Sequence, residues 1–308
     1  MQPQVLKFLK WLTFFALLGL ALPKYLWAQA CCSGSSTLTP GRLAVHEDAA
    51  VGLMLRSTWI NGSFDQQAHY ASAKGNTREW DGEEDLLGTV RVLKHGQVTA
   101  LVPVNESFRS VPTVSEAGGG IGDINLSGRY DFSPAGRSVW LPGIAALVGL
   151  TLPTGRAADQ AHRALATDAT GIGAFQVSLG LALEQTFGNL LLSLNGILTQ
   201  RASRQVGGIS STLGLQFAGL LGAGYSFDNG AAVAASLAFT DEGNAQLNRQ
   251  TYPLTGRRLT ILGLSGSIPL GDTWRLQGGA FDDLPVTGLG RNQPAGLGFS
   301  FSVIRTWS

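Results

Sequence analysis

Apolar and polar residues alternate along much of this chain, from about residue 49 to residue 307. The segment 121–132 shows the pattern best. Its odd-numbered positions from Asp123 to Asp131 are all polar, while its even-numbered positions from Ile124 to Phe132 are aliphatic, aromatic or glycine. Successive side chains of a β-strand point to opposite faces, so this period of two predicts a strand with one polar and one apolar face.

Repetition of this pattern predicts an all-β protein of about twelve strands, with ten or fourteen as alternatives. The predicted strands cover residues 49–60, 85–94, 97–106, 121–132, 139–153, 171–187, 189–202, 211–227, 230–241, 257–270, 273–283 and 296–307. The breaks after even-numbered strands are short and rich in Gly, Asn and Asp, which suits hairpin turns. The breaks after odd-numbered strands are longer, at about 61–84, 107–120, 154–170, 203–210, 242–256 and 284–295.

Short turns at one end and longer loops at the other are typical of bacterial outer-membrane barrels. Residues 49–308 are therefore predicted to form a transmembrane, antiparallel, up-and-down β-barrel. An even number of strands places both ends of the barrel on the periplasmic side. No strand pair carries a pattern special to subunit contact, so a monomer is expected, with a trimer left open.

The N-terminus has the features of a secretory leader. Lys7 and Lys10 precede an apolar stretch at 11–22, and Ala28-Gln29-Ala30 offers small residues at a cleavage point. The apolar stretch is shorter than the roughly 20 residues that a spanning helix needs. Residues 1–30 are predicted to be a signal peptide, which leaves 31–48 as a periplasmic N-terminal segment. A retained N-terminal anchor is the alternative.

Cys31 and Cys32 are adjacent and are the only two cysteines. Cys31 would be the first mature residue, so acylation there is one hypothesis, although Ala28 stands where a lipoprotein usually has Leu. A strained local bridge or a bridge to another chain is a second, and two small residues without a special role are a third. The spacing does not suit zinc, and no metal or cofactor is predicted.

The composition agrees with a barrel in a membrane. Lys and Arg number 22 and Asp and Glu number 21, so no basic surface for nucleic acid is implied. Charged residues are only 14% and glycines number 41, which suits a lipid-facing wall of crowded strands better than a soluble domain. The expected partners are membrane lipids, the outer-membrane assembly machinery and a small-molecule solute.

Aromatic residues cluster at the two ends of the predicted strands. Those beside the short turns are Phe132, Trp140, Phe187, Tyr225, Phe227, Trp274 and Trp307, and those near the opposite rim are Trp59, Phe175, Phe239 and Phe281. Such girdles mark the two interfaces of a membrane. In the last strand, Phe299, Phe301 and Trp307 share one face, which resembles the C-terminal assembly signal of outer-membrane proteins. Trp307 is penultimate and Arg305 interrupts the apolar face, so the match is imperfect.

Several charged residues fall on the predicted inward faces. The candidate lumen-lining residues are Arg56, Arg91, Asp123, Arg129, Glu184, Arg201 and Arg275. Unpaired, the arginines would favour anions in a pore. Paired across the barrel, they would brace a narrow interior. The rest of the predicted lining is mainly small and polar, with Leu141, Leu147, Leu220 and Ile261 as its apolar members.

Two motifs resemble a known family. Gly119-Gly120-Ile121-Gly122-Asp123-Ile124 is followed by Arg129-Tyr130, and Gly149-Leu150-Thr151-Leu152-Pro153-Thr154-Gly155 ends a later strand. With the loop end Thr170-Gly171-Ile172-Gly173, these resemble the outer-membrane barrels of the meta-pathway phenol-degradation family, often labelled as transporters. The resemblance covers about residues 118–240. It implies outer-membrane uptake of small, often hydrophobic or aromatic compounds, and it carries over no site residues.

Catalytic constellations are weak in this sequence. His46, His69, His95 and His162 are scattered over loops, turns and the N-terminal segment, and no His-x-Ser sequence occurs. The chain is therefore expected not to be an enzyme, with a membrane hydrolase as the third possibility. The favoured function is an outer-membrane channel for passive uptake of small solutes. The leading alternative is a non-conducting structural or surface-interaction barrel, with the loops 61–84 and 154–170 meeting a partner.

Overall fold

The structure is a computed structural model that describes residues 42–136, 138 and 140–308. The predicted signal peptide 1–30 and the possible acylation site Cys31 lie outside the described residues. Among the described residues, no helix is long and apolar enough to cross a bilayer.

Twelve long strands of the described chain form the wall of a closed barrel. They are β1 (Ala49–Phe64), β3 (Arg78–Leu93), β4 (Gly96–Val111), β6 (Ile124–Ser133), β7 (Gly143–Leu152), β8 (Gln176–Phe187), β9 (Leu190–Arg201), β12 (Gln216–Ser226), β13 (Ala232–Glu242), β16 (Arg257–Leu270), β17 (Trp274–Asp283) and β18 (Gln293–Trp307). Each pairs antiparallel with its neighbours in this order, and β18 closes the ring on β1 from Ala49 opposite Trp307 to Phe64 opposite Gln293. The predicted fold class and strand number are confirmed.

Six shorter strands and one 3-10 turn lie at the end of the barrel that carries the long connections. The strands are β2 (Tyr70–Ser72), β5 (Val114–Ile121), β10 (Arg204–Val206), β11 (Ile209–Thr212), β14 (Gln246–Leu247) and β15 (Gln250–Thr251), and the turn is Ala158–Gln160. The β10, β11, β14 and β15 strands form a separate four-stranded sheet. The loops predicted to be external therefore have regular structure of their own.

The largest departure from prediction is at two of these loops. Residues 61–84 and 107–120 were predicted as loops, but 79–84 continue the pairing of β3 with β1 and 62–64 that of β1 with β18. Residues 107–111 and 114–120 likewise belong to the pairing of β4 with β5. Trp80, predicted to lie in a loop, is in β3, where its indole N–H donates to the Ser57 hydroxyl at 2.6 Å. The apolar face ends before the hydrogen-bonded ladder does, so hydropathy alone marks the end of the lipid-facing part and not the end of the strand.

The wall has one interruption, at Gly122 and Asp123 between β5 and β6. Below it β4 pairs with β6, up to Leu101 opposite Asn125, and above it β4 pairs with β5, starting at Val104 opposite Ile121. The edge of β5 that faces away from β4 lies beyond the end of β7, at Leu152. Such an edge needs cover, and the loop 153–175 supplies it.

The faces of the wall are as predicted, except at Leu141 and Phe281. Leu141, expected to point inward, precedes β7 and is 70% exposed. Leu179 and Leu181 of β8 are exposed on the outside, whereas Ala182 and Glu184 are buried inside. The seven aromatic residues beside the short turns are all exposed, as a girdle requires. Phe281, however, is only 6% exposed and points inward. Its ring occupies the space over Gly298, where any side chain would collide with it.

Candidate functional site: the barrel lumen

The N-terminal segment enters the lumen at the end that carries the short turns. The guanidinium of Arg42 is bonded to the Glu184 carboxylate of β8. The backbone N–H of Leu43 donates to the Gln97 side chain of β4 at 3.1 Å. Residues 31–48 were predicted to be a periplasmic N-terminal segment, and its described part, 42–48, binds side chains of the barrel wall. Inward-facing polar side chains of the wall bind the segment. The segment is too short for its own sequence to predict that it enters the lumen.

Glu47 fixes this segment to two of the predicted lumen arginines. Arg275 donates to the Glu47 carboxylate at 2.6 Å, and Arg91 donates to the Ala44 and Glu47 carbonyls at 2.6 and 2.7 Å. The other Glu47 oxygen accepts the Ala44 N–H at 2.7 Å. Arg91 and Arg275 therefore hold the chain in place and do not face an open pore. Sequence reasoning missed Glu47 because it precedes the first alternating strand.

Above this segment lies a compact charge cluster. Arg129 donates to the Asp131 carboxylate at 2.7 Å, and its guanidinium is 3.0 Å from the Glu184 carboxylate. Arg42 shares the Glu184 carboxylate and lies 3.9 Å from that of Asp131. Two arginines and two carboxylates thus balance each other inside the wall. Little solvent reaches Arg129 or Glu184, so each charge depends on its partners to offset desolvation.

Arg201 forms a second network higher in the lumen. It is 5% exposed and donates to the Glu242 carboxylate at 2.6 Å. Gln176 accepts its Nε–H at 2.8 Å and Gln216 accepts an Nη2–H at 2.5 Å. Glu242 has the same strand parity as the other inward positions of β13, so extending the predicted strand 230–241 by one residue would have found it.

Arg56 projects from β1 into the lumen and lines the same cavity as Arg201. Its guanidinium carbon is 4.3 Å from the centroid of the Phe281 ring, and its N–H groups are 3.8 Å from the Glu83 carboxylate. Asp283, buried at the end of β17, is within electrostatic range of this guanidinium. Arg56 is thus flanked by one aromatic ring and two acidic side chains.

Asp123 has a structural role at the interruption of the wall. Its two carboxylate oxygens accept the backbone N–H groups of Gly155 and Ile172 at 2.9 and 2.7 Å. Both residues belong to the loop 153–175, so one carboxylate holds the two ends of that loop against the wall. The Thr170 hydroxyl donates to the Ile121 carbonyl at 2.8 Å, and the Glu116 carboxylate accepts the Leu165 N–H, also at 2.8 Å. Together these bonds cover the edge of β5.

The same loop has an internal carboxylate, Asp168. It accepts the backbone N–H groups of His162 and Arg163 at 2.9 and 3.1 Å and an N–H of Arg156 at 2.6 Å. These hydrogen bonds, that of the His162 N–H first, hold the pKa of Asp168 well below its usual range. The loop is thus organised from within as well as at its two ends.

A cavity of about 470 Å³ lies between the two arginine networks. Its polar lining includes Arg42, Arg56, Glu83, Asn125, Thr199 and Arg201. Its apolar lining includes Leu101, Pro103, Leu147, Ile197, Leu259 and Ile261. The predicted lumen residues Arg56, Asp123, Arg129 and Arg201 line it, whereas Glu184 binds behind Arg129. The cavity can hold a small molecule that has both apolar and polar parts.

Other candidate chemistry is dispersed. His69 pairs with Asp65 at 3.4 Å near the external rim, His95 is in the turn between β3 and β4, and His162 is in the loop 153–175. His46 belongs to the N-terminal segment. Within the described ranges, no group of three or more His, Cys, Asp or Glu side chains is placed to hold a metal ion.

Comparison with solved structures identifies the type of barrel. The chain is similar to the COG4313 outer membrane channel from Pseudomonas putida F1, with a TM-score of 0.68 and 17% sequence identity over 85% of this chain and 98% of that one. The fold is that of an outer-membrane β-barrel. At this identity the likeness shows the shared fold alone.

Two further barrels are less similar. The translocator domain of the autotransporter NalP from Neisseria meningitidis has a TM-score of 0.48 and 10% identity, over 84% of this chain and 88% of that one. The transport unit of the autotransporter AIDA-I from Escherichia coli has a TM-score of 0.46 and 7% identity, over 85% of this chain and 90% of that one. No protein-family model and no curated protein matches the chain. The resemblance to the phenol-degradation family therefore still depends on the short motifs that suggested it.

Proposed function

We propose that this protein is an outer-membrane channel through which small, partly apolar solutes pass without an energy source. The cavity between the arginine networks carries this proposal, because it has both an apolar and a polar wall and room for a small solute. The exposed apolar outer wall and its aromatic girdle support a position in a membrane. The fold shared with the Pseudomonas putida channel supports the same function.

The two charged layers narrow the path on either side of the cavity. Ions and hydrophilic solutes would have to pass the Arg129 cluster and the segment 42–48, whose charges are already matched. A small conductance without strong ion preference is therefore expected, unlike that of a wide porin. The anion preference that unpaired lumen arginines would give is not expected, because Arg91, Arg129, Arg201 and Arg275 all have acceptors.

Single-channel conductance of the folded 31–308 protein in a planar bilayer tests this function. Discrete openings are expected, and reversal potentials under a salt gradient should show weak selectivity. Deletion of residues 31–47 should raise the conductance several-fold, because it removes the chain that Arg91 and Arg275 hold in the lumen. A variant with Trp140→Ala, in an exposed turn, is the matched control. A folded protein that stays silent with and without residues 31–47 would contradict the proposal.

A second candidate is a closed barrel with a structural or surface-interaction role. The ion pairs of the lumen favour it. They join β6 to β8 and β9 to β13, and the N-terminal segment binds to the same lining. A structural barrel should show no solute flux in any variant. Its loop 153–175 should then be needed for binding to an external partner.

A further inference from the structure

Arg56 differs from the other lumen arginines in how its donors are used. Arg129, Arg201 and Arg275 each have a carboxylate oxygen at 2.6–3.0 Å. Arg56 has only the Glu83 carboxylate at 3.8 Å, which is beyond hydrogen-bond distance. Within the part of the chain that the structure describes, its guanidinium N–H groups form no hydrogen bond. A guanidinium offers five donors in a fixed fork, so this one has unused capacity.

The position of this guanidinium is nevertheless fixed. It lies 4.3 Å from the centroid of the Phe281 ring, and that ring is packed against Gly298 with 6% of Phe281 exposed. Attraction between the cation and the ring face holds the guanidinium in place. Arg56 also lines the 470 Å³ cavity. A donor group is thus held ready at the wall of a space large enough for a ligand.

The surroundings of Arg56 decide which acceptor it can take. Glu83 and the buried Asp283 already balance its positive charge. A bound carboxylate would add a third negative charge to this wall and would be repelled, since Coulomb attraction to Arg56 is offset by its two neighbours. A neutral oxygen can accept the N–H groups without that repulsion, and a hydrogen bond to a charged donor is stronger than one between neutral groups.

The remainder of the cavity selects for an apolar body. Leu101, Leu147, Ile197, Leu259 and Ile261 line it. We infer that the cavity binds a small, largely apolar molecule that carries one neutral hydrogen-bond acceptor, such as a carbonyl oxygen, and that Arg56 donates to this acceptor. This inference rests on the proposed function, because it names the class of solute that the channel would take.

Binding of three fluorinated probes of similar size tests the inference by fluorine NMR on the folded protein in detergent micelles. The probes are 4-fluoroacetophenone with a neutral carbonyl, 4-fluorobenzoate with a carboxylate, and 4-fluorotoluene with no acceptor. Empty micelles correct for partition. The carbonyl probe is expected to bind at least about tenfold more tightly than either of the others, which is the lower end for a hydrogen bond to a charged donor.

Two variants and one control make the test specific. Arg56→Leu should reduce the preference for the carbonyl probe to about twofold or less. Glu83→Gln should raise the affinity for 4-fluorobenzoate about fivefold, because it removes one of the two charges that repel a carboxylate, and should leave the carbonyl probe within about twofold. Arg78→Leu, on the outer face of the rim, should change nothing. Glu83→Gln keeps the test decisive if Arg56→Leu does not fold.

Two results would overturn the inference. The first is equal binding of the carbonyl and toluene probes to the unaltered protein, and the second is tighter binding of the carboxylate probe. Failure of the proposed function can be distinguished from these results. If the protein binds the carbonyl probe as expected but shows no conductance in the bilayer, the binding site is supported and the channel function is contradicted. If the protein conducts but shows no preference among the probes, the channel function is supported and the binding site is contradicted.

Discussion

The guanidinium of Arg305 lies 5.0 Å from the centroid of the Trp307 ring, on the outer face of the last strand. It is also 5.5 Å from the centroid of the Trp274 ring on the neighbouring strand. In the sequence, Arg305 interrupts the apolar face that ends in Trp307. In the structure, it lies between two girdle residues, where a cation is attracted to the ring faces and costs little at the membrane interface.

Replacement of Arg305 by Glu should therefore impair the barrel, whereas replacement by Leu should be nearly neutral. Glu places a negative charge against two ring faces that repel it, and Leu only loses a contact of about 1 kcal/mol. The folded fraction after refolding into lipid vesicles, read from the heat-dependent shift on a gel, measures the difference. Equal folded fractions for the two variants would rule out a role for the Trp pair in accommodating Arg305.

Trp307→Ala should reduce accumulation in the outer membrane more than Trp140→Ala does. Trp307 pairs with Ala49 at the seam that closes the barrel, whereas Trp140 is 91% exposed in a turn. Trp80 is not a suitable control, because it is in β3 and bonded to Ser57. Membrane fractions from cells that express each variant at matched levels give the comparison. Equal accumulation would show that the last strand does not act as an assembly signal.

Arg129→Ala should lower the free energy of unfolding by about 3 kcal/mol, because it leaves Glu184 with one fewer partner inside the wall. Arg42 still contacts that carboxylate, so the lower end of the usual range for breaking a buried pair is expected. The double variant Arg129→Met with Glu184→Leu should be less destabilised than Arg129→Ala, since it removes one charge of each sign and leaves Arg42 and Asp131 to balance each other. Urea unfolding in vesicles measures all three proteins. Greater loss in the double variant would show that the ion pair itself stabilises the barrel.

The sequence specified the wall of this barrel far better than its contents. Alternation requires only that one face of each strand meets lipid, so twelve strands and their order could be predicted from residues such as Leu179 and Leu181. The interior depends on which side chains meet across the lumen. The alternation predicts which face of a strand a side chain is on, but it does not predict which other side chain it contacts. Arg201 was assigned to the lumen from its parity, but its bond to Glu242 depends on the register of β9, β12 and β13. The entry of residues 42–48 into the lumen has no periodic signal at all.

Asp123→Ala should release the loop 153–175 from the wall. It removes the acceptor of the Gly155 and Ile172 N–H groups, which hold both ends of the loop. Each hydrogen bond to a charged acceptor contributes about 1.5–3 kcal/mol, so trypsin cleavage after Arg156 or Arg163 should become at least tenfold faster. Asp65→Ala, in a different external connection, is the control. Unchanged cleavage in Asp123→Ala would mean that the bonds from Leu165 to Glu116 and from Thr170 to Ile121 suffice to hold the loop.

Acid should loosen the same loop through Asp168, and the direction follows from its lowered pKa. Its hydrogen bonds stabilise the ionised form in the folded loop, so their contribution is fully present above the ordinary value of 3.8 and is lost as the pH falls through the lower folded value. Pepsin, which is active throughout this range, should therefore cut the loop slowly at about pH 4 and much faster below about pH 2. Asp168→Asn cannot offer a carboxylate at any pH, so its loop should be cut quickly already at about pH 4, with a flatter pH profile. Normalising each rate to cleavage of an unstructured peptide removes the pH dependence of pepsin itself. A wild-type profile that is as flat as that of Asp168→Asn would show that the three donors around Asp168 do not hold the loop together.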